Sequence, residues 1–152
     1  MLITLVLNII LQISMNGFAG FDFGSQKKSV IQIISNKESA RLVKSSKDTL
    51  TYQGFDYNGL PIKYWQFVFT NNKLKSLYLE FDGGKNEQAM YFKSLKNSII
   101  KSYGKHTTIE QNASNLVIKW LFYFPRGEIT VSTFIKLNFT KNGVLNLEAG
   151  FI

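Results

Sequence analysis

Trp65-Gln66-Phe67-Val68-Phe69 decides how the rest of the chain is read. Residues two apart in a strand share a face, so Trp65, Phe67 and Phe69 line one side and Gln66 and Val68 the other. The same spacing returns in Trp120-Leu121-Phe122-Tyr123-Phe124, where Trp120, Phe122 and Phe124 share a face. Each stretch runs into a short polar turn, Asn71-Asn72-Lys73 or Arg126-Gly127-Glu128, and the chain resumes with an aliphatic residue, Leu74 or Ile129. The two stretches read as two copies of one aromatic hairpin, with the Trp-bearing faces turned into the core.

Around these hairpins the other elements follow. Gly24-Ser25 reads as the entry to a short helix carrying Val30, Ile33 and Ile34 and ending at Asn36 or Lys37. Ala40 to Lys44 fits a short edge strand or a helix tail. Thr49 to Asp56 reads as a strand, and Asn58-Gly59 as a tight hairpin turn leading into the strand of Trp65. Leu74 to Phe81 continues the alternation, and Asp82-Gly83-Gly84 breaks it. Asn86 to Tyr103 is the clearest helix: Gln88, Phe92, Leu95, Ile99 and Tyr103 fall on one face, and Gly104 supplies the stop. Thr107 to Gln111, Leu116 to Phe124, Glu128 to Phe139 and Val144 to Ile152 read as the remaining strands.

This order is too unevenly interleaved for a parallel βαβ array. The expected fold is α+β: a twisted antiparallel sheet of about six to seven strands with two helices on one face. Residues 21–82 and 83–152 read as half-repeats, each a helix plus three strands.

The chain has 152 residues, 45% of them hydrophobic, which suits one folded domain. Met1 to Gly20 holds no charged side chain, and the apolar run from Leu2 to Ile13 is broken only by Thr4, Asn8 and Gln12. Gly17-Phe18-Ala19 places small residues where signal peptidase reads them. Residues 1–19 are therefore expected to be a signal peptide cleaved near Ala19, leaving a single domain over 20–152 in the periplasm or medium with no stable membrane span. The run lacks an initial Lys or Arg, so an uncleaved anchor and a buried N-terminal strand or helix stand as alternatives.

Several chemistries are excluded or disfavoured by composition. With no Cys there is no disulfide, thiolate metal site, Cys nucleophile or lipidated N-terminal Cys. The formal net charge is +8, yet of the basic residues only Arg41 and Arg126 are Arg, the side chain that grips phosphate in a fork. Nucleic acid is not expected as a partner. Asp82-Gly83-Gly84-Lys85 lacks the spacing of a phosphate loop and reads as a strand-to-helix turn. His106, the one His, follows a helix stop with no nucleophile motif in reach, and reads as solvent-facing or capping. Glu80 and Asp82 are the closest acid pair on one strand face, at the border of a turn. No cofactor and no metal site are expected, and no catalytic residue is assigned.

Phe23-Gly24-Ser25 before a short helix, the aromatic hairpins and a later helix ending Tyr103-Gly104 resemble small secreted bacterial proteins. More distantly, the helix followed by a strand meander is similar to β-lactamase-inhibitor-like domains and to outer-membrane-assembly domains of the SmpA/OmlA type. The resemblance implies a domain that binds proteins and carries no catalytic residues. The expected function is thus an exported, non-catalytic bacterial domain that binds a protein or another envelope component. The alternative is a carrier of a small apolar ligand held between helices and sheet. On the long helix, the 100° step turns Lys93 and Lys101 outward with Lys96 at the flank, a basic stripe offered as the candidate partner-binding surface.

Overall fold

The computed structural model describes residues 15–126 and 129–152. The apolar run Leu2–Ile13 and the turn at Gly127 and Glu128 lie outside them. The element order is β1 (Gly17–Phe18), β2 (Phe21–Asp22), α1 (Lys27–Ser35), β3 (Arg41–Ser45), β4 (Thr49–Gln53), β5 (Ile62–Thr70), β6 (Lys73–Phe81), α2 (Lys85–Tyr103), β7 (Thr108–Gln111), β8 (Asn115–Arg126), β9 (Ile129–Thr140) and β10 (Leu145–Phe151). Strands β3 to β10 form one sheet in the order β3-β4-β5-β6-β10-β9-β8-β7, every neighbouring pair antiparallel. The fold is α+β, as expected, but the sheet has eight strands rather than six or seven.

Each half is a helix followed by four strands, not three. The order is palindromic: exchanging β3, β4, β5 and β6 for β7, β8, β9 and β10 reproduces it about the β6–β10 seam. Under that exchange the aromatic hairpins are not equivalent. Trp65 lies on the third strand after α1, whereas Trp120 lies on the second strand after α2. The echo in sequence arises because both strands bury one face under helices, and the same physical demand selects the same alternation.

That demand is met on the helical side. Trp65, Phe67 and Phe69, with Trp120 and Phe122, are buried together with Leu77, Leu79, Ile135, Leu137, Leu147 and Ala149. Val30 and Ile34 of α1 and Leu95 and Ile99 of α2 complete the core. Each indole N–H is satisfied, Trp65 Nε1 donating to the Phe55 carbonyl at 2.9 Å and Trp120 Nε1 to that of Gly104 at 3.1 Å.

Helix α2 starts where Gly84 donates its N–H to the Glu87 carboxylate at 2.7 Å, and its first turn carries that acid as the helix dipole favours. It stops at Gly104, whose φ of 85° is open to glycine and costly for other residues. Gln88 is buried on its inner face. Its Nε2 donates to the Gly83 carbonyl at 2.8 Å, and its Oε1 accepts the backbone N–H of Leu145, tying the helix to the first residue of β10. The other helix begins one residue later than its Ser25 cap would give: Gln26 is the N-cap and makes no side-chain cap bond.

The segment before α1 is folded. Strands β1 and β2 pair as a tight hairpin whose turn is Ala19 and Gly20, with φ of 55° and 84°. Met15, Phe18 and Phe21 are core residues. His106 is half-buried rather than solvent-facing, its ring edge-on to Trp120 with centroids 6.1 Å apart. The helix stop at Gly104 turns the chain back over the indole and carries His106 with it.

Candidate functional site: the open face of the sheet

Both helices of the described residues pack on one face of the eight-stranded sheet, and among the described residues no helix lies over the other face. Alternation sends to this open face the residues between the core positions: Gln66 and Tyr64 from β5, Tyr78 and Glu80 from β6, Asn146 and Glu148 from β10, Phe134, Lys136 and Asn138 from β9, and Val117, Lys119, Leu121 and Tyr123 from β8. Registers align them in continuous rows. One row crosses all eight strands as Lys44, Thr51, Gln66, Tyr78, Glu148, Lys136, Lys119 and Thr108. A second runs Tyr64, Glu80, Asn146, Asn138, Val117 and Glu110. A third runs Val68, Ser76, Gly150, Phe134 and Leu121. At the seam a Cβ on Gly150 would lie 2.5 Å from the Ser76 Cβ, so glycine there lets β6 and β10 close up.

Six charges of this face are paired. Lys63 Nζ and Glu80 Oε1 are 2.7 Å apart, Lys119 Nζ and Glu110 Oε1 2.8 Å, and Lys136 Nζ and Glu148 Oε2 3.7 Å. These are the three ion pairs among the described residues, and all lie on this face. The hydrogen bond from Lys63 to Glu80, with the attraction of that carboxylate, raises the ammonium's pKa above its ordinary value. Burial pushes the Tyr78 phenol up to about 12, and the Glu80 and Glu148 carboxylates beside it act in the same direction. Tyr78 is therefore a neutral hydroxyl, able to donate a hydrogen bond, across the physiological range.

Within the first half, the side chains of β3 to β6 enclose a depression of about 350 Å³ lined by Lys44, Thr51, Tyr64, Gln66, Tyr78 and Glu80 among others. At one end of the second half is an apolar cluster, with Phe134 beside Leu121 in register and Tyr123, 54% exposed, on the same strand. Between them Asn138 and Asn146 oppose each other, and the Oδ1 atom of each is buried with no hydrogen-bond partner. Aromatic rings, amides and paired charges that no other described element covers make a surface able to dock another molecule by shape and hydrogen bonding.

The basic stripe singled out from sequence is elsewhere. Lys93 and Lys101 are exposed on the outer side of α2, and Lys96 is half-buried at its flank. None of the three ion pairs involves them. Of the two acids, Glu80 is held by Lys63, and the Asp82 carboxylate accepts the Gly83 N–H at 3.0 Å in its own turn. Among the described residues no three His, Asp or Glu side chains gather as metal ligands, and no helix is long and apolar enough to cross a membrane. The open face escaped the sequence reading because Gln66, Tyr78 and Glu148 look like spacers between core positions until the sheet order shows them side by side.

No family model, curated protein or solved structure matches the chain.

Proposed function

We propose that this is an exported bacterial protein without catalytic function that binds a partner protein, or another component of the cell envelope, through the open face of its sheet. The observation that supports it most is the unbroken row from Lys44 to Thr108 across eight strands, flanked by Tyr64, Phe134, Leu121 and Tyr123 with no layer above them among the described residues. A bare sheet face that served only solubility would favour Thr, Lys and Glu. Tyr and Phe are the side chains enriched where interfaces concentrate their energy. Export is read from the apolar run Leu2–Ile13.

The alternative, a carrier of an apolar ligand between helices and sheet, gains little support. The space it needs is occupied by Trp65, Phe67, Phe21 and Phe55 in mutual contact, with ring centroids between 4.5 and 6.2 Å apart.

The proposal is tested by recovering the protein from the envelope under mild crosslinking, with and without Phe134→Asp. A partner held by the sheet face is lost from the variant while the melting temperature stays close to that of the parent. The reversal of Lys93 and Lys101 to Glu serves as the counterpart on the helical side. If that reversal abolishes capture and Phe134→Asp does not, the basic stripe of α2 is the docking surface and the sheet face is not.

A further inference from the structure

The two halves of the sheet place different side chains at matching positions of the open face. In the row from Lys44 to Thr108, exchanging β3 to β6 for β7 to β10 sets Tyr78 against Glu148, Gln66 against Lys136, Thr51 against Lys119 and Lys44 against Thr108. The second half balances its own charges, Lys136 with Glu148 and Lys119 with Glu110. In the first half Glu80 is taken up by Lys63, and Lys44 belongs to none of the three ion pairs among the described residues. Around Lys44 stand neutral groups able to donate a hydrogen bond: the Thr51 hydroxyl, the Gln66 amide and the Tyr64 and Tyr78 phenols. Among the described residues none of these side chains donates to another group of the protein.

The backbone shapes the same place. The register shifts between Leu42 and Lys44 in β3 and between Ile62 and Tyr64 in β5, so Val43 and Lys63 are extra residues in their strands. Such bulges bend a strand and re-aim a side chain. Val43 joins the lining of the depression of about 350 Å³, and Lys63 reaches Glu80. Lys63 Nζ also lies 5.4 Å from the centroid of the Tyr64 ring, which steadies that ring beside the depression. Strands β7 to β10 pair with no such shift.

We propose that the depression receives an acidic segment of the partner protein, with an Asp or Glu carboxylate on Lys44 and the surrounding hydroxyls and amide completing its hydrogen bonds. The assignment rests on the reading that a protein docks on the open face. An ionised carboxylate only accepts, so it matches a site with donors to spare and one unpaired cation. A phosphate is better served by an Arg fork, and the Arg of β3, Arg41, is engaged with Gln53 Oε1 at 2.8 Å.

Heteronuclear NMR of the full chain, titrated at low salt with a capped tetraglutamate peptide, tests this, with the tetraglutamine peptide as neutral control. The expected result is amide shifts at Thr51, Gln66 and Tyr78 with the glutamate peptide and none with the glutamine peptide. Lys44→Gln should raise the dissociation constant about threefold, as for a partly exposed ion pair, and Lys93→Gln should leave it unchanged. Shifts confined to α2 around Lys93 and Lys101, or an affinity that Lys44→Gln does not alter, overturn the proposal. So does inorganic phosphate or glucuronate shifting the same amides at lower concentration than the peptide, which would assign the depression to a phosphate or an acidic sugar. Phe134 is not part of the depression, so failure here and failure of the Phe134→Asp test are told apart.

Discussion

Tyr78 and Glu148 face each other in register across the β6–β10 seam, where the two halves of the sheet join. Their contact places a phenol between the carboxylates of Glu148 and Glu80. Together with burial, this pushes its pKa from 10.0 to about 12. Below pH 10 the phenol is neutral in folded and unfolded chains alike, and the shift has no effect on stability. Between pH 10 and 12 the unfolded chain gives up its proton while the folded chain keeps it, so stability falls as pH rises through that window. Tyr57, also raised to about 12 chiefly by burial, contributes in the same sense. Denaturant unfolding on both sides of pH 10 should show this decline, and Tyr78→Phe should make it shallower without changing stability trends at neutral pH.

Gln88 joins α2 to β10, and its replacement tests how firmly the helical layer is fixed. Gln88→Leu leaves the Leu145 N–H without an acceptor in a buried site. The expected cost is about 1–3 kcal/mol, the usual penalty for an orphaned buried polar group. Equilibrium unfolding measures it, and hydrogen exchange at Leu145 should quicken in the variant.

Trp65→Ala and Trp120→Ala should each lower stability by about 3–5 kcal/mol, as for other large aromatic truncations in cores. Each also orphans a carbonyl, of Phe55 or Gly104, that the indole N–H now satisfies. Losses near zero by denaturant titration would mean the indoles are not in the core.

The Thr133 hydroxyl is buried among apolar groups, and its Oγ1 has no hydrogen-bond partner. Thr133→Val keeps the branched shape and removes the unsatisfied group. It should leave stability unchanged or raise it by about 1 kcal/mol, read as a higher denaturation midpoint at constant slope.

What could be read from sequence follows from which residues are buried on one side only. Trp65 to Phe69 and Gln88 to Tyr103 announce themselves because core and solvent alternate along them with the period of a strand or a helix. Strands β3 and β7 do not, because all their residues are exposed and no alternation exists to be seen. That is why Ala40 to Lys44 fits an edge strand and a helix tail equally well. The pairing of β6 with β10 joins residues far apart in the chain, and no local pattern near Leu77 or Ala149 encodes it. Met15 and Phe18 fit the end of a leader as well as a core, because core positions and export signals use the same apolar residues. The sheet face is the hardest case: whether Tyr78 or Phe134 is a spacer or a contact depends on what lies above the sheet, which is a property of the whole fold.

Docking of a partner on the open face is tested by site-specific photo-crosslinking in living cells. A photoreactive residue is placed singly at Gln66, at Phe134, and at Gln32 on the exposed side of α1. A discrete adduct of the same partner is expected from positions 66 and 134 and none from position 32. Adducts from position 32 alone, or none from either sheet position while the protein is present at its normal level, would contradict it.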